Sequence, residues 1–108
     1  MEKKVNLTTG EFLSLYTGWL FGPSFDTVTD ACEKVFGFSP YTLTTTECAN
    51  QFRKAIDKNR PELAAMVKSC GEMQKGRKDE FMKAFEEKLG SDTVEVSTQK
   101  YQEKTIGM

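Results

Sequence analysis

Hydrophobic residues recur every three to four positions along most of the chain, the spacing that places side chains on one face of an α-helix. The pattern is most regular over residues 42–70. It predicts two helices that meet at a corner, the first beginning near Thr45 and the second at Pro61, because proline suits a first helical turn. Thr44 and Glu47 have the spacing of a capping box and predict the start of the first of these helices.

The segment before this pair predicts a first helix that follows a second capping box, formed by Thr8 and Glu11. Its apolar positions continue at helical spacing as far as Leu20. Within this helix, Gly18 is expected to mark a close contact between helices, and Trp19, the one tryptophan, is expected to anchor the core.

Two more helices complete the predicted set. One follows Ser24 as its N-cap and ends at Gly37, and its Asp30 and Lys34 have the spacing of an ion pair. The other runs from about residue 78 to 89 and ends at Gly90.

Short alternating stretches at residues 5–7 and 93–97 predict two strands that pair as a ribbon. The predicted fold class is therefore mainly α: a compact bundle of about five short helices with a two-stranded β ribbon. Residues 1–98 form the single helical domain, and residues 99–108 are predicted to be a flexible tail in which Tyr101 and Ile106 are available to anchor a partner.

Composition limits the class of protein. The chain has 108 residues, 38% of them hydrophobic and 29% charged, which is typical of one soluble globular domain and leaves no room for a separate catalytic domain. No apolar run is long enough to cross a bilayer, and no signal-peptide core follows Met1. We therefore expect a cytoplasmic protein without a membrane segment.

Candidate chemistry is sparse. The chain has no histidine, so a catalytic triad or metal site that uses imidazole is excluded, and it has no glycine-rich phosphate loop. Its cysteines, Cys32, Cys48 and Cys70, are too widely spaced for a zinc site and are expected to be buried reduced thiols. We predict no catalytic residue, no metal and no cofactor, and hence a protein that is not an enzyme.

Charge is unevenly distributed. Residues 53–78 hold eight basic side chains against three acidic ones, a local balance of +5, whereas residues 1–52 and 79–108 each carry −3. A basic segment predicts contact with phosphates as one alternative. The residues of this predicted nucleic-acid site are Arg53, Lys54, Lys58, Arg60, Lys75, Arg77 and Lys78.

The acidic residues of the flanking helices suggest a different partner, a basic surface on another protein. Outward carboxylates can occupy a basic nucleic-acid channel on another protein, because complementary charge strengthens encounter. The residues of this predicted acidic face are Asp26, Asp30, Glu33, Glu86 and Glu87. Asp26 and Asp30 stand one turn apart, which we interpret as a solvated first turn rather than an acid/base pair.

The order of short motifs along the chain resembles a family of small bacteriophage and prophage proteins of unknown function. The motifs are Thr17-Gly18-Trp19-Leu20, Gly37, Tyr41-Thr42, Arg53, Pro61-Glu62-Leu63, Leu89-Gly90 and Val94-Glu95-Val96. The resemblance implies a phage or mobile-element origin and supplies no catalytic residue. Members of that family often carry a histidine at the start of the central helix, where this chain has Thr44-Thr45-Thr46, so no role for that histidine carries over.

Three functions follow as hypotheses. The first is a binding protein that occupies the surface of a macromolecular partner, most concretely an inhibitor of a host defence system such as an anti-CRISPR protein. The second is a small helical regulator that binds nucleic acid through the basic segment. The third is a virion or assembly component that joins copies through its terminal strand.

Overall fold

The computed structural model describes residues 3–21, 26–38, 42–71 and 76–101. Within these ranges the chain forms five helices and two strands. In chain order they are β1 (Lys4–Thr8), α1 (Thr9–Thr17), α2 (Asp26–Phe36), α3 (Thr42–Asn59), α4 (Pro61–Ser69), α5 (Lys78–Leu89) and β2 (Thr93–Ser97). The predicted class, a mainly α bundle with a small ribbon, is confirmed. The predicted Ser24 cap, Lys75 and Ile106 lie outside the described residues.

The ribbon pairs the two strands in antiparallel register. Val5 lies opposite Val96 and Leu7 lies opposite Val94. Leu7, Val94 and Val96 are buried in the core, whereas Asn6, Thr8, Thr93 and Glu95 are exposed and Ser97 is partly exposed. Because side chains alternate between the two faces of a strand, one face of the ribbon joins the core and the other meets solvent.

Helix α1 lies at the centre of the core. Phe12 is fully buried, and its ring centroid lies 5.7 Å from Tyr16, 5.7 Å from Phe52 on α3 and 5.5 Å from Phe85 on α5. Helix α2 packs on α1 as well. The first helix is therefore enclosed by α2, α3 and α5, as expected for a helix with apolar residues around much of its circumference.

The start of α1 confirms the predicted capping box. Thr8 accepts a hydrogen bond from the Glu11 backbone N–H at 3.1 Å, and the Glu11 carboxylate accepts one from the Thr8 N–H at 2.9 Å. Glu11 is buried, and both of its oxygens lie 3.0 Å from the Lys34 ammonium on α2. The predicted pair of Asp30 with Lys34 is wrong, because the buried carboxylate needs the cation more than an exposed one does.

The predicted ends of the other helices are confirmed in part. Gly37 and Gly90 have φ values of +82° and +76° and end α2 and α5 as predicted, and Pro61 occupies the first turn of α4. Helix α3 instead begins at Thr42, ahead of its predicted start. Thr44 therefore lies inside the helix, where a residue with helical backbone cannot serve as the N-cap.

After β2 the chain continues along α2. The Gln99 N–H donates to the Val35 carbonyl at 2.8 Å. The Tyr101 ring lies 6.4 Å from Phe36 and 5.3 Å from Phe38, centroid to centroid. Tyr101, predicted to be available to a partner, thus contacts the domain itself.

Candidate functional site

The most distinctive surface feature is Trp19. Helix α1 ends at Thr17, and Gly18 follows in the left-handed conformation with φ +81°. Trp19 therefore lies beyond the helix, and 43% of it is exposed, more than any other large hydrophobic residue that the structure describes. The prediction of Trp19 as a core anchor is wrong, because the left-handed turn at Gly18 breaks the helical spacing that would have directed it inward.

Gly18 was also predicted to be a contact point between helices. A Cβ atom built at this glycine meets nothing within 4 Å, so close packing is not the reason for glycine here. The reason is the positive φ, which glycine adopts without steric cost. Gly18 therefore ends the helix rather than bringing two helices together.

The backbone around Trp19 is held in place by hydrogen bonds. The Trp19 N–H donates to the Thr17 hydroxyl at 3.1 Å, and that hydroxyl donates to the Leu13 carbonyl at 2.6 Å. Two residues further on, the buried Phe21 N–H donates to the Ser14 hydroxyl at 2.8 Å. The indole is thus presented by an ordered turn, which lowers the entropy lost when a partner covers it.

A cation and a groove accompany the indole. The Lys78 ammonium, at the start of α5, lies 5.7 Å from the Trp19 ring centroid. On either side of Trp19 along the chain, Gly18 and Leu20 line a groove of about 330 Å³. The other lining residues are Ser14 on α1, Val28 on α2, and Thr45, Thr46, Ala49 and Asn50 on α3. We call Trp19, Lys78 and this groove the Trp19 surface.

A second pairing of a cation with an aromatic ring lies between α1 and α3. The Tyr16 hydroxyl donates to Asp57 at 2.5 Å, and the Arg53 guanidinium lies 5.9 Å from the Tyr16 ring centroid. Burial, together with the hydrogen bond to the Asp57 carboxylate, raises the pKa of Tyr16 to about 12. The phenol therefore keeps its proton, and its contact with α3, well above neutral pH.

The predicted acidic face is divided between two sides of α1. The Thr9 hydroxyl donates to Glu86 on α5, whereas Glu11 pairs with Lys34 on α2. Side chains two positions apart on a helix point in nearly opposite directions, so α2 and α5 flank α1 on different sides. Asp26, Asp30 and Glu33 form one exposed stripe along α2, and Glu86 and Glu87 lie on the separate helix α5.

The predicted basic set is also divided. Lys54 and Lys58 are exposed one turn apart on α3, and Arg53 is exposed beside Lys54. Arg60 donates to Glu62 at 2.7 Å and to the Glu95 carbonyl at 2.9 Å.

The other described members of the basic set, Arg77 and Lys78, lie at the start of α5. Arg77 approaches Glu80 at 3.8 Å, and Lys78 covers Trp19. Three of the seven predicted residues, Arg53, Lys54 and Lys58, thus stand together on α3.

The cysteines are free thiols in this structure. Cys32 and Cys48 are buried, as predicted, and Cys70 is partly buried. Burial raises the pKa of the Cys32 thiol to about 12 and also raises the pKa of Cys48 and Cys70. Among the described residues, no group of three or more potential ligands is placed to hold a metal ion.

Comparisons with protein-family models, with curated proteins and with solved structures find no match for this chain. Across the described ranges, none of the helices combines the length and the hydrophobicity that crossing a bilayer requires.

The sequence does contain one sign of the Trp19 surface. Gly18 has the same character as Gly37 and Gly90, glycines that follow a run of helical residues and end the helix. A glycine at that position favours a helix end over a packed interior. Weighing Gly18 in this way would have placed Trp19 outside the helix.

Proposed function

We propose that this chain is a binding protein that occupies the surface of a larger protein partner and catalyses no reaction itself. The observation that carries the proposal is the exposure of Trp19 on an ordered turn. Tryptophan is enriched among the few residues that carry most of the energy of protein interfaces, and a neighbouring groove allows the partner's side chains to interlock with it. Lys78 adds a cationic group to the same surface.

The exposed acidic stripe on α2 suggests that the partner's surface is basic. Asp26 and Asp30 are exposed and lie two positions on either side of Val28, the α2 residue that lines the groove. They therefore point to the outer side of that helix, where their negative potential extends into solvent. A partner with a basic channel for nucleic acid would be steered toward this side of the molecule.

The most concrete form of the proposal is an inhibitor of a nucleic-acid-guided host defence complex, encoded by a phage or mobile element and acting in the cytoplasm of the host. The experiment is plaque formation by a targeted phage on cells that express a CRISPR interference complex together with this chain. We expect the unaltered chain to restore plaques and Trp19→Ala to lose the effect. The control is Lys83→Ala, a change at an exposed position of α5 more than one helical turn beyond Lys78.

The outcomes separate the general proposal from the specific one. If the unaltered chain fails to restore plaques, the defence-inhibitor form is wrong. If purification of the tagged chain from the host recovers nucleic acid and no protein, the general proposal is wrong too. A partner retained equally by the unaltered chain and by Trp19→Ala would show that binding uses another surface.

The second candidate function is nucleic-acid binding through α3. The observation in its favour is the exposure of Arg53, Lys54 and Lys58 within two turns of one helix. Contacts of this kind with phosphates make affinity fall steeply as salt concentration rises. Binding of a random duplex that is strong in low salt and weakened by Lys54→Gln with Lys58→Gln would favour this function. Undetectable binding in low salt would remove it.

A further inference from the structure

Trp19 lies between two backbone positions that are both tied to Ser14 on α1. The Gly18 N–H donates to the Ser14 carbonyl at 3.1 Å, and the Phe21 N–H donates to the Ser14 hydroxyl at 2.8 Å. Ser14 is only 1% exposed, so water has little access to replace its hydroxyl as the acceptor for a buried N–H. One residue therefore holds the chain on both sides of the indole.

A second residue of α1, Gly10, allows the turn to lie close to the helix. Gly10 and Ser14 are four positions apart and share one face of α1. A Cβ atom built at Gly10 would lie 2.7 Å from the Phe21 carbonyl oxygen, closer than real Cβ contacts allow. This oxygen belongs to the backbone and cannot rotate aside as the end of a flexible side chain could. A larger residue at Gly10 would therefore push Phe21, and the turn with it, away from α1.

Helix α5 contacts the same turn. The Phe21 ring lies 5.8 Å from the Phe81 ring, centroid to centroid, and both residues are buried. Lys78, three positions before Phe81, lies 5.7 Å from the Trp19 ring centroid. Residues three apart are neighbours on a helix surface, so one face of α5 meets both Phe21 and Trp19. The turn is therefore held between α1 and this face of α5.

The residue types at positions 10 and 14 suit the turn better than they suit the helix. Helix α1 has nine residues, and glycine and serine both form helix less readily than alanine. Alanine at either position would favour the helix but disturb the turn, because Gly10→Ala introduces the close contact with Phe21 and Ser14→Ala removes the acceptor for its N–H. Helix propensity and the turn thus predict opposite effects of the same substitutions.

We propose that Ser14 is a positioning residue of the Trp19 surface, which fixes the backbone on both sides of Trp19 and so sets the direction of the indole before a partner binds. This inference rests on the proposed function, in which Trp19 is the main contact with a protein partner. An indole that is already ordered loses less conformational entropy on binding than a mobile one. Affinity therefore depends on Ser14 even where the partner does not touch it.

The first measurement is NMR relaxation of the full isotope-labelled chain, in which the one tryptophan gives a single indole N–H signal. In Ser14→Ala and in Gly10→Ala, we expect the order parameter of the Trp19 backbone N–H to fall from about 0.85, the value of rigid backbone, to below about 0.6. The indole signal should show the same loss of order. Ser14→Thr retains the hydroxyl, and because Ser14 lines the groove there is space for the added methyl group, so this variant should leave Trp19 ordered.

Two controls separate positioning from a general loss of stability. Ser69→Ala makes the same chemical change on α4, where the hydroxyl donates to the Met66 carbonyl. Val96→Ala lowers stability by leaving a cavity at a buried position of β2. Circular dichroism verifies that each variant is folded. Equal mobility of Trp19 in Val96→Ala, or a Trp19 that stays as ordered in Ser14→Ala as in the unaltered chain, would overturn the proposal.

The second measurement is retention of the protein that the tagged chain recovers from the host. We expect Ser14→Ala and Gly10→Ala to weaken retention by about tenfold and Ser14→Thr to preserve it. Equal retention by Ser14→Ala, with Trp19→Ala still defective, would exclude the positioning role and leave the proposed function intact. Full retention by Trp19→Ala would instead exclude the proposed function and, with it, the role of Ser14 in binding, whereas the relaxation data would still decide whether Ser14 orders the turn.

Discussion

The two ends of α1 differ in how completely the surrounding structure covers them. At the N-terminal end, Thr8, Thr9 and Glu11 are engaged with one another or with α2 and α5. At the C-terminal end, Gly18 turns the chain and Trp19 remains exposed, while its chain neighbours Gly18 and Leu20 line a groove. We call these the sealed end and the open end. One short helix thus separates the contacts that hold the fold together from the contacts available to a partner.

This division has a physical basis. The side chains of Thr9 and Glu11 at the sealed end are buried, so each must find a hydrogen-bond partner, and these partners fix the positions of α2 and α5 around α1. At the open end, the hydrophobic surface of Trp19 stays in contact with water, and covering it would release free energy. Substitutions at the two ends should therefore separate stability from binding.

The largest loss of stability is expected at the centre of α1, between the two ends. Phe12→Ala removes a fully buried ring that contacts Tyr16, Phe52 and Phe85. We expect the free energy of unfolding to fall by about 3–5 kcal/mol, measured by urea denaturation. Phe12→Leu retains most of the volume and should cost clearly less. Equal effects of both substitutions would show that ring packing is not what stabilises this position.

A smaller loss is expected at the sealed end. Glu11→Ala removes the acceptor for the Thr8 N–H and the partner of Lys34. Because Lys34 is half exposed and can regain water, we expect a cost of about 2 kcal/mol in the free energy of unfolding. In a double-mutant cycle with Lys34→Met, the coupling between the two residues should be positive and measurable. If the effects of the two substitutions are additive, Glu11 and Lys34 do not form a stabilising ion pair.

An intermediate loss of stability is expected at Tyr16, which lies on α1 between Phe12 and the open end. Tyr16→Phe removes the hydrogen bond to Asp57 and should cost about 1–2 kcal/mol at neutral pH. The pKa of Tyr16 is about 12 in the folded protein against 10.0 for the ordinary phenol, so its contribution is complete below pH 10 and is lost as pH rises toward 12.

The difference in unfolding free energy between the unaltered chain and Tyr16→Phe should therefore shrink over that interval. Thermal unfolding of both proteins at matched pH values measures it, and deprotonation of lysines cancels because both chains carry the same lysines. A difference that stays constant from pH 9 to pH 12 would show that the phenol is not linked to stability.

The smallest change in stability is expected at the open end. Trp19→Ala removes a side chain that is 43% exposed, so the free energy of unfolding should fall by about 1 kcal/mol, less than for a fully buried ring. The same variant should nevertheless lose most of its affinity for the partner, because truncating an interface tryptophan often costs 2 kcal/mol or more. A large drop in melting temperature would place Trp19 among the stabilising residues and remove the contrast between the two ends.

Sequence reasoning predicts well the local features, at the sealed end and at the ends of other helices. The capping box at Thr8 and Glu11 and the glycines at 37 and 90 are determined by neighbouring residues in the chain. The ribbon between residues 4–8 and 93–97 was predicted as well, because Val5 alternates with polar neighbours and Leu7 in one segment, and Val94 and Val96 do so in the other. The capping box and the two glycines need no knowledge of distant contacts.

The open end was predicted incorrectly for a different reason. The apolar spacing from Phe12 continues through Trp19, although the helix has already ended. Periodicity records which residues are hydrophobic and does not record where the backbone turns. Likewise, nothing local shows that Lys34 pairs with Glu11 rather than Asp30, or that Arg60 covers the edge of β2, because both contacts join residues far apart in sequence.

The position of the one indole has a consequence for spectroscopy. Because 43% of Trp19 is exposed in the native protein, denaturation should shift the wavelength of its emission less than it would for a fully buried indole, and circular dichroism is the better probe of unfolding. Quenching by iodide or acrylamide, by contrast, will report directly on whether a bound molecule shields the ring.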